Sequence, residues 1–246
     1  MTTQMPVVSV CMATFNGGTH LKKQIETILM QLKSNDELII SDDGSTDSTV
    51  QIIQNWADDR IKLYKNESQA GVISNFQNAL SKAKGDYIFL ADQDDIWLPD
   101  RINTISEHLA NNDLVLSNCK IVDSTGHVLY DSFFEYRDSR PGFWRNLIKN
   151  PYIGCCMAFR RSVLSYVLPI PPDVHMHDWW IGLLVELKGK VYFLPETTML
   201  YIRHGTNASP TGETSTYSTF SRIKNRFCLI KHLTLRLTQK LFWRTS

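Results

Sequence analysis

The sequence predicts an α/β fold in which helices flank a mostly parallel central sheet. Short apolar runs typical of buried strands recur in the first half of the chain, and segments with helical periodicity separate them. Their order, β-α-β-α-β-α-β, is that of a parallel sheet covered by helices. The chain has 246 residues, 43% of them hydrophobic, which suffices for one large domain or a domain with a small appendage.

Four strands are predicted in the first half, over residues 7–13, 38–41, 61–64 and 86–91. Apolar side chains three or four residues apart mark the intervening helices: Leu21, Ile25, Ile28, Leu29 and Leu32, then Val50, Ile53 and Trp56, then Val72, Phe76, Leu80 and Ala83. The third helix is expected to end at Lys84 and Gly85, because glycine often follows the last turn of a helix.

The second half has a less regular pattern. It predicts helices over residues 99–111 and 177–188, the latter ending at Gly189, and strands over 114–122, 155–160, 191–194 and 200–203, with a turn at residues 124–126 and a short strand after it. Residues 130–151 are rich in aromatic residues and arginine and have poor periodicity. We expect this segment to form a loop over the functional site.

Composition limits the classes to which the protein can belong. The net charge of +1 argues neither for nor against nucleic acid, which is not among the expected partners. Five cysteines without a CxxC pair support neither a disulfide framework nor a zinc site, so buried free thiols are expected. The first residues do not resemble a signal peptide, and no apolar stretch is long enough to span a membrane. We therefore expect a cytoplasmic protein, soluble or at most peripheral on the inner face of the cell membrane.

Polar clusters follow three of the predicted strands. They are Thr14-Phe15-Asn16, Asp42-Asp43-Gly44-Ser45 and residues 92–95. Ligands bind beyond the carboxyl ends of strands in parallel sheets. We therefore expect the three clusters to converge on one crevice.

The most acidic cluster favours a divalent cation. Asp92 and Asp94 lie two residues apart on a turn, and hard cations take oxygen ligands while keeping waters or phosphate oxygens. An EF-hand is excluded because the required glycine and glutamate are missing. The alternative is a solvated loop with helix-capping aspartates, a role that suits Asp95 or Asp100. We favour metal contact for Asp94.

The cluster SDDGSTDST leaves two interpretations open. Ser45 or Asp47 could cap the following helix, as turn residues often do. A carboxylate at the end of the strand could instead accept the imide N–H of a uracil or thymine ring.

The motifs ATFN, SDDGSTD and FLADQDD, followed by HDWW and YIRHGTN, resemble the family 2 glycosyltransferases, which have the GT-A fold, a Rossmann-like sheet flanked by helices. The resemblance covers about residues 7–207 and is strongest to rhamnosyltransferase-type members, which attach sugars to bacterial surface polysaccharides. It implies a catalytic domain over residues 1–207 with a small acceptor-side subregion, followed by a tail over residues 208–246.

The resemblance also implies roles for the residues that match the motifs, with Mn²⁺ or Mg²⁺ as the cofactor. It implies that Asp43 binds the pyrimidine base, that Asp94 is the metal-contacting carboxylate of the D-x-D motif, and that Asp178 is the catalytic base. His204 matches a histidine that completes the metal site in some members. The implied nucleotide-sugar-binding residues are Ala13, Thr14, Asn16, Asp42, Asp43, Asp92 and Gln93.

The sequence departs from the family pattern at two positions. Ala13 stands where many members have proline, and His177 where many have glutamate; the second change affects the surroundings of Asp178. The Q-x-x-R-W motif of processive synthases is absent, which favours the transfer of a single sugar.

The implied reaction is an inverting transfer of a sugar, rhamnose or another hexose, from a dTDP- or UDP-sugar to a glycan or lipid-linked acceptor. Such a transfer needs a carboxylate that deprotonates the acceptor hydroxyl and a cation that neutralises the departing diphosphate. An N-cap is the structural alternative for Asp178. The functional alternatives are a nucleotidyltransferase, which would be expected to carry a basic, glycine-rich phosphate loop after the first strand, and a non-catalytic sugar-nucleotide-binding subunit.

The C-terminal segment predicts a basic amphipathic helix. Residues 221–246 contain seven Lys or Arg and no Asp or Glu. Its apolar residues recur every three or four positions: Phe220, Ile223, Phe227, Ile230, Leu233, Leu237 and Leu241. We expect residues 220–244 to lie on an anionic membrane surface; a helix docked on the catalytic domain is the alternative.

Overall fold

The computed structural model describes residues 5–204 and 218–242, the last four of these as helix backbone only. The strands are β1 (Val8–Thr14), β2 (Glu37–Asp42), β3 (Ile61–Lys65), β4 (Tyr87–Asp92), β5 (Ile96–Trp97), β6 (Leu114–Asp123), β7 (Val128–Tyr130), β8 (Met157–Arg160) and β9 (Val191–Arg203). The helices are α1 (Leu21–Leu29), α2 (Thr49–Gln54), α3 (Val72–Lys82), α4 (Arg101–Leu109), α5 (Phe133–Arg137), α6 (Phe143–Ile148), α7 (Leu164–Val167), α8 (His177–Lys188) and α9 (Thr219–Phe242).

All strands of the described residues belong to one sheet, in the order β3-β2-β1-β4-β8-β6-β9-β5, with β7 paired to β6. The first four strands are mutually parallel, as the β-α-β order predicts. β8 runs antiparallel to β4 and β6, whereas β6 and β9 are parallel again. The predicted mostly parallel sheet flanked by helices is therefore confirmed, with the antiparallel strands confined to its second half.

The predicted apolar stripes form the interface between the helices and the sheet, except that Val72 at the start of α3 is exposed. On α1, Leu21, Ile25 and Ile28 are fully buried, and Phe76 and Leu80 of α3 are buried in the same way. Four of the five cysteines are buried, and all five are free thiols. The sheet and these helices share one continuous hydrophobic core.

The prediction of a loop over residues 130–151 is wrong, because two short helices lie there. Ser132 precedes α5 and its hydroxyl accepts a hydrogen bond from the backbone N–H of Glu135, at 3.2 Å. A serine followed three residues later by a glutamate is the sequence pattern of a helix start. In α6, Asn146 and Leu147 are buried. Tertiary packing thus stabilises a helix that its own periodicity does not reveal.

Two predicted strands, over residues 191–194 and 200–203, are one continuous strand, β9. Pro195 interrupts the apolar pattern, but the strand continues through a shift of its register against β6. The carbonyl of Pro195 accepts a hydrogen bond from the side chain of Asn118, at 3.1 Å. The two-residue strand β5, which is too short to give a sequence pattern, pairs antiparallel with β9.

The glycine after α3 has a different role from the predicted one. The helix ends at Lys82, before the expected end at Lys84 and Gly85. A Cβ on Gly85 would lie 2.5 Å from the backbone nitrogen of Ser9. Gly85 is therefore needed because the chain passes directly against β1, and not as a left-handed helix cap.

Helix α9 is docked on the rest of the protein, which was the alternative to membrane binding. Leu229 and Leu233 are buried, and the Arg236 guanidinium donates to the carbonyls of Tyr166 and Leu168 at 2.8 and 2.9 Å. The predicted apolar stripe is split, since Leu233 faces the domain while Phe220, Ile223, Phe227 and Ile230 are exposed. In residues 5–204 and 218–242, no helix is long and apolar enough to cross a membrane. The predicted boundary at residues 207 and 208 and the side chains beyond residue 238 lie outside the described residues.

Candidate active site

The three polar clusters lie side by side at the carboxyl ends of β1, β2 and β4. In the register of the sheet, Ala13 is paired with Asp92, and Thr14 with Asp42. The backbone N–H of Asp43 donates to the carbonyl of Thr14 at 2.9 Å. The parallel sheet thus brings together residues that are distant in the sequence, as expected for strands whose ends share one edge.

Asp42 is buried and holds its own turn together. Its carboxylate accepts hydrogen bonds from the backbone N–H groups of Gly44 and Ser45, at 3.0 and 2.9 Å, and from the hydroxyl of Thr14 at 3.2 Å. Thr14 is also buried. These two residues build the wall of the crevice through contacts within the protein.

Asp43 is more accessible and faces the segment before α3. One carboxylate oxygen accepts from the Asn66 amide at 2.7 Å, and the other from the backbone N–H of Gly71 at 2.7 Å. Both donors lie in the connection between β3 and α3, so the carboxylate is held in a fixed orientation. A carboxylate oxygen can accept more than one hydrogen bond, which leaves capacity for a ligand N–H.

The loop after β1 is tied to both neighbouring strand ends. Asn16 has a φ of 48°, and its side-chain oxygen accepts from the backbone N–H of Thr46 at 2.8 Å. The Gln93 side chain accepts from the backbone N–H of Phe15 at 2.9 Å and donates to its carbonyl at 3.1 Å. Gln93 therefore acts as a clamp between this loop and the acidic turn, a role that its sequence position does not reveal.

The four aspartates near the end of β4 differ in their surroundings. Burial raises the pKa of Asp92 to about 7, and the charges of Asp94 and Asp178 add to this rise. Asp95 is almost fully buried, and burial raises its pKa well above the usual range. One Asp95 oxygen accepts from the backbone N–H of Ile202 in β9, at 3.2 Å. Helix capping was the alternative for Asp95 or Asp100, and of the two only Asp100 occupies the N-cap position of α4, where its side chain makes no capping hydrogen bond.

The two predicted metal ligands are in direct contact. His204 Nε2 lies 2.8 Å from a carboxylate oxygen of Asp94, and both side chains are mostly buried. Two ligands at about 2.1 Å from one ion, in neighbouring octahedral positions, are about 3.0 Å apart. The pair therefore fits a shared divalent cation with little movement. A second group, formed by Asp92, Asp95 and Cys155, lies deeper and includes a thiol, a ligand that Mg²⁺ and Mn²⁺ do not prefer.

His20 belongs to the same cluster, although no sequence motif indicates it. Its ring is stacked on that of His204, with the centroids 4.5 Å apart and the planes at 10°. His20 immediately precedes α1, and its backbone N–H donates to the carbonyl of Gly17 at 3.0 Å. In the sequence, only the position of His20 shortly after the first polar cluster indicates that it could belong to the site.

A buried arginine is the positive charge beneath the acidic turn. Arg101 is fully buried, and its guanidinium donates to the hydroxyls of Ser117, at 2.9 Å, and Thr198, and to the carbonyl of Cys155 at 2.7 Å. Burial lowers the pKa of this guanidinium, and the charge of Asp95 is among the smaller effects that oppose the fall. The spacing of Arg101 with Ile105 and Leu109, at intervals of four, places all three on the buried face of α4 and could have revealed it.

Asp178 lies in the first turn of α8 and is 3% exposed. Burial raises the pKa of its carboxyl to about 7, although hydrogen bonds from Trp179, Asn150 and Gly154 oppose the rise. Met176 occupies the N-cap position, so the N-cap alternative for Asp178 is wrong. The charge of Asp178 raises the pKa of Asp92, so the two carboxylates are close enough to interact.

His177 is buried beside Asp178. Its ring is stacked on Phe76, with the centroids 4.1 Å apart, and neither ring nitrogen has a hydrogen-bond partner among the described residues. Burial lowers the pKa of His177 to about 3, so the ring is neutral. A Cβ on Gly154 would lie 2.8 Å from Nε2 of His177, so this glycine leaves the room that the imidazole occupies.

The sequence model of the family described as "Glycosyl transferase family 2" matches residues 9–168, the range that holds every strand-end cluster described above. The chain belongs to glycosyl transferase family 2. It is 30% identical over 183 residues to WfgD of Escherichia coli, a UDP-Glc:alpha-D-GlcNAc-diphosphoundecaprenol beta-1,3-glucosyltransferase, covering 73% of this chain and 69% of WfgD. An uncharacterized glycosyltransferase of Nostoc is 28% identical over 215 residues, and this chain spans 66% of its length. The chain thus spans about two thirds of these curated relatives.

Solved structures of other proteins have the same fold as this family 2 chain. TarS of S. aureus in complex with UDP-GlcNAc gives a TM-score of 0.69 at 15% identity, over 96% of this chain and 72% of that one. The mannosyltransferase PcManGT of Pyrobaculum calidifontis, in complex with GDP-Man and Mn²⁺, gives 0.62 at 20% identity, over 85% of this chain and 59% of that one. These similarities confirm the predicted GT-A fold.

Proposed function

We propose that the protein is an inverting, metal-dependent glycosyltransferase that moves one sugar from a nucleoside diphosphate sugar to a glycan or lipid-linked acceptor in cell-surface polysaccharide synthesis. The observation that carries the proposal is the contact between Asp94 and His204 near the buried carboxylate of Asp178, since the charges of Asp94 and Asp178 both raise the pKa of Asp92. This arrangement would provide the two things that the transfer needs, a place for a cation and a base with a pKa near neutral.

The nucleotide would bind along the ends of β1 and β2. Asp43, held by Asn66 and Gly71, is suited to accept the imide N–H of a pyrimidine. Asn16, Ala13 and Gln93 would surround the nucleotide through the loop after β1, while Thr14 and Asp42 act by holding the wall of the crevice. Asp92, at the end of β4, would lie nearest the ribose and diphosphate.

Asp178 is the proposed base. In the transfer, the acceptor oxygen forms a bond to the anomeric carbon, the bond from that carbon to the diphosphate breaks, and the acceptor proton moves to Asp178. A carboxylate whose pKa is raised to about 7 is a stronger base than an ordinary one, yet it is still largely ionised slightly above neutral pH. A divalent cation held by Asp94 and His204 would neutralise the negative charge that develops on the departing diphosphate.

The donor is proposed to be a UDP- or dTDP-linked hexose. WfgD is named for a UDP-Glc donor, and TarS was solved with UDP-GlcNAc, which supports a uridine nucleotide. The Mn²⁺ in PcManGT supports the metal. A rhamnosyl donor stays a prediction from the resemblance.

A thermal-shift screen of sugar nucleotides with and without Mn²⁺ tests the donor and the metal together. We expect one UDP- or dTDP-sugar to raise the melting temperature, and Mn²⁺ to enlarge that rise. Asp94→Asn should remove the Mn²⁺ effect, while Asp100→Asn, a matched aspartate six residues away with a φ of 62°, should keep it.

Turnover then separates an enzyme from a non-catalytic binding subunit. The donor found in the screen is incubated with lipid-linked saccharide acceptors, and release of the nucleoside diphosphate is measured. Donor binding without release in the presence of any acceptor would favour the binding subunit. Release of pyrophosphate from a nucleoside triphosphate and a sugar phosphate would instead identify a nucleotidyltransferase.

A further inference from the structure

Two helices beside the candidate base present large apolar side chains to solvent. Trp144 and Ile148 of α6 are 75% and 65% exposed, and Phe220 and Phe227 of α9 are 78% and 69% exposed. Ile223 and Ile230 of α9 are exposed as well. We call these six residues the α6–α9 face. Single exposed apolar residues are common on protein surfaces, but a group of this size marks an interaction surface.

The two helices touch each other, so the six side chains belong to one surface. The guanidinium of Arg226 in α9 donates to the carbonyl of Ile148 at the end of α6. The same guanidinium lies over the ring of Trp179, and the indole N–H of Trp179 donates to the carbonyl of Asn146 at 2.8 Å. Trp179 thus connects α6 and α9 at the start of α8.

Basic residues flank the exposed side chains of this face, and two acidic residues near it are paired with cations or histidine, Asp138 with Arg140 and Arg145 and Asp173 with His232. Residues 139–151 contain Arg140, Arg145 and Lys149 and no acidic residue. Helix α9 has six Lys or Arg and no acidic residue: Arg222, Lys224, Arg226, Lys231, Arg236 and Lys240. Lys149, Lys224 and Lys231 are exposed. Exposed apolar side chains flanked by cations are the features with which a protein binds an anionic lipid surface.

We propose that the α6–α9 face binds the surface of an anionic bilayer. The apolar side chains enter the boundary between headgroups and acyl chains, and the lysines contact the headgroups. A second copy of the chain fits this face less well, because two such faces would bring like charges together. The buried Leu229 and Leu233 hold α9 on the domain, so the helix can bind lipid with its outer side while it stays docked.

This surface lies close to the proposed base. The side chain of Asn150, two residues after α6, hydrogen-bonds the carboxylate of Asp178. If the proposed function holds, an acceptor anchored in the bilayer would meet the base from the side that faces the lipid. The membrane surface thus includes α6, whereas the sequence pattern indicated only the C-terminal helix.

Co-sedimentation of the full chain with vesicles tests the proposal without any turnover. We expect binding to vesicles that contain phosphatidylglycerol and little binding to vesicles of phosphatidylcholine alone, with added salt weakening the first. Lys224→Gln and Lys231→Gln should each weaken binding about 5-fold. The pairs F220S/F227S and W144S/I148S should each weaken it at least about tenfold.

Controls separate this surface from general effects. Met30→Ser removes an apolar side chain that is 80% exposed at the end of α1 and should leave vesicle binding unchanged. Asp178→Asn should also bind as the unmodified protein does, so that a failed reaction and a failed membrane surface can be distinguished. Thermal unfolding checks that every variant is folded.

Three results would overturn the inference. The first is equal binding to both kinds of vesicle. The second is unchanged binding of W144S/I148S, which would remove α6 from the surface. The third is a dimer in light scattering that F220S/F227S dissociates, which would identify the face as an interface between copies of the chain.

Discussion

Replacing Asp178 by asparagine tests both consequences of its burial, the one for catalysis and the one for stability. Asparagine keeps the size of the side chain and an oxygen that can accept from Trp179, but it cannot take a proton from an acceptor hydroxyl. Removal of a general base lowers turnover by about 10²–10⁴-fold. We therefore expect Asp178→Asn to abolish measurable transfer while it leaves donor binding nearly unchanged.

The magnitude of the stability effect follows from the pKa. Burial raises the pKa of Asp178 from 3.8 to about 7, a rise of about 3 units at about 1.4 kcal/mol each, or about 4 kcal/mol in total. Between pH 4 and 7 the unfolded chain has lost this proton while the folded protein keeps it, so the free energy of unfolding decreases as the pH rises. In the Asp178→Asn variant, residue 178 does not titrate and causes no such decrease in the free energy of unfolding. Relative to the unmodified protein, the variant should therefore gain up to about 4 kcal/mol between pH 4 and pH 8.

Urea unfolding of both proteins at pH 5 and pH 8 measures most of this gain, about 3 kcal/mol for the two pH units between pH 5 and the pKa of about 7. Asp59→Asn is the control, because Asp59 is exposed and lies before β3, at the opposite end of the strands from the site. A stability difference between variant and parent that is the same at both pH values would refute the argument from burial. Turnover of Asp178→Asn close to that of the parent would refute its role as base. In the parent, kcat/KM should fall about tenfold for each pH unit below about 7.

Three further predictions concern the surroundings of the site. His20→Ala should weaken Mn²⁺ binding about 2–10-fold, because the stacked ring that orients His204 is lost, and His20→Phe should restore the binding. Titration with Mn²⁺ followed by electron paramagnetic resonance measures the affinity of both variants. Equal weakening by the two substitutions would contradict a stacking role. Arg101→Met should lower the free energy of unfolding by about 3–5 kcal/mol, because the hydroxyls of Ser117 and Thr198 and the buried carboxyl of Asp95 lose their cation. Urea unfolding measures the loss, and a value below about 1 kcal/mol would contradict this role of Arg101. Gly85→Ala should lower the free energy of unfolding by about 1–3 kcal/mol, because the added Cβ would collide with the backbone of Ser9. A melting temperature that the substitution leaves unchanged would refute the close approach.

The sequence predicted those parts of the site that depend on neighbouring residues in the chain. The clusters around Thr14, Asp42 and Asp92 each follow a recognisable strand, and a parallel sheet leaves only one edge where its strand ends can meet. The convergence of these clusters therefore follows from the sequence alone. The roles of their individual side chains could not, because Asp42 and Gln93 are engaged by backbone groups whose positions depend on the fold.

The missed features depend on pairs of residues that are far apart in the sequence. His20 and His204 are in contact because the start of α1 and the end of β9 lie next to each other. The hydrophobic periodicity of the sequence does not indicate a contact between two such distant residues. Asp95 looked like a capping residue because its partner, the backbone of Ile202, belongs to a strand whose path around Pro195 was not apparent. Arg101 was overlooked because charged residues are rarely buried, although its spacing on α4 matched that of the core.

The hydrogen bonds between the loops at the strand ends have a consequence for the thermodynamics of ligand binding. Asn16 fixes the loop after β1 to Thr46, and Gln93 fixes the same loop through both backbone groups of Phe15. Ordering a residue costs about 1–2 kcal/mol of conformational entropy, and here that cost belongs to the folding of the chain. A nucleotide that enters the crevice meets a preorganised surface, so its affinity is not reduced by the ordering of this loop.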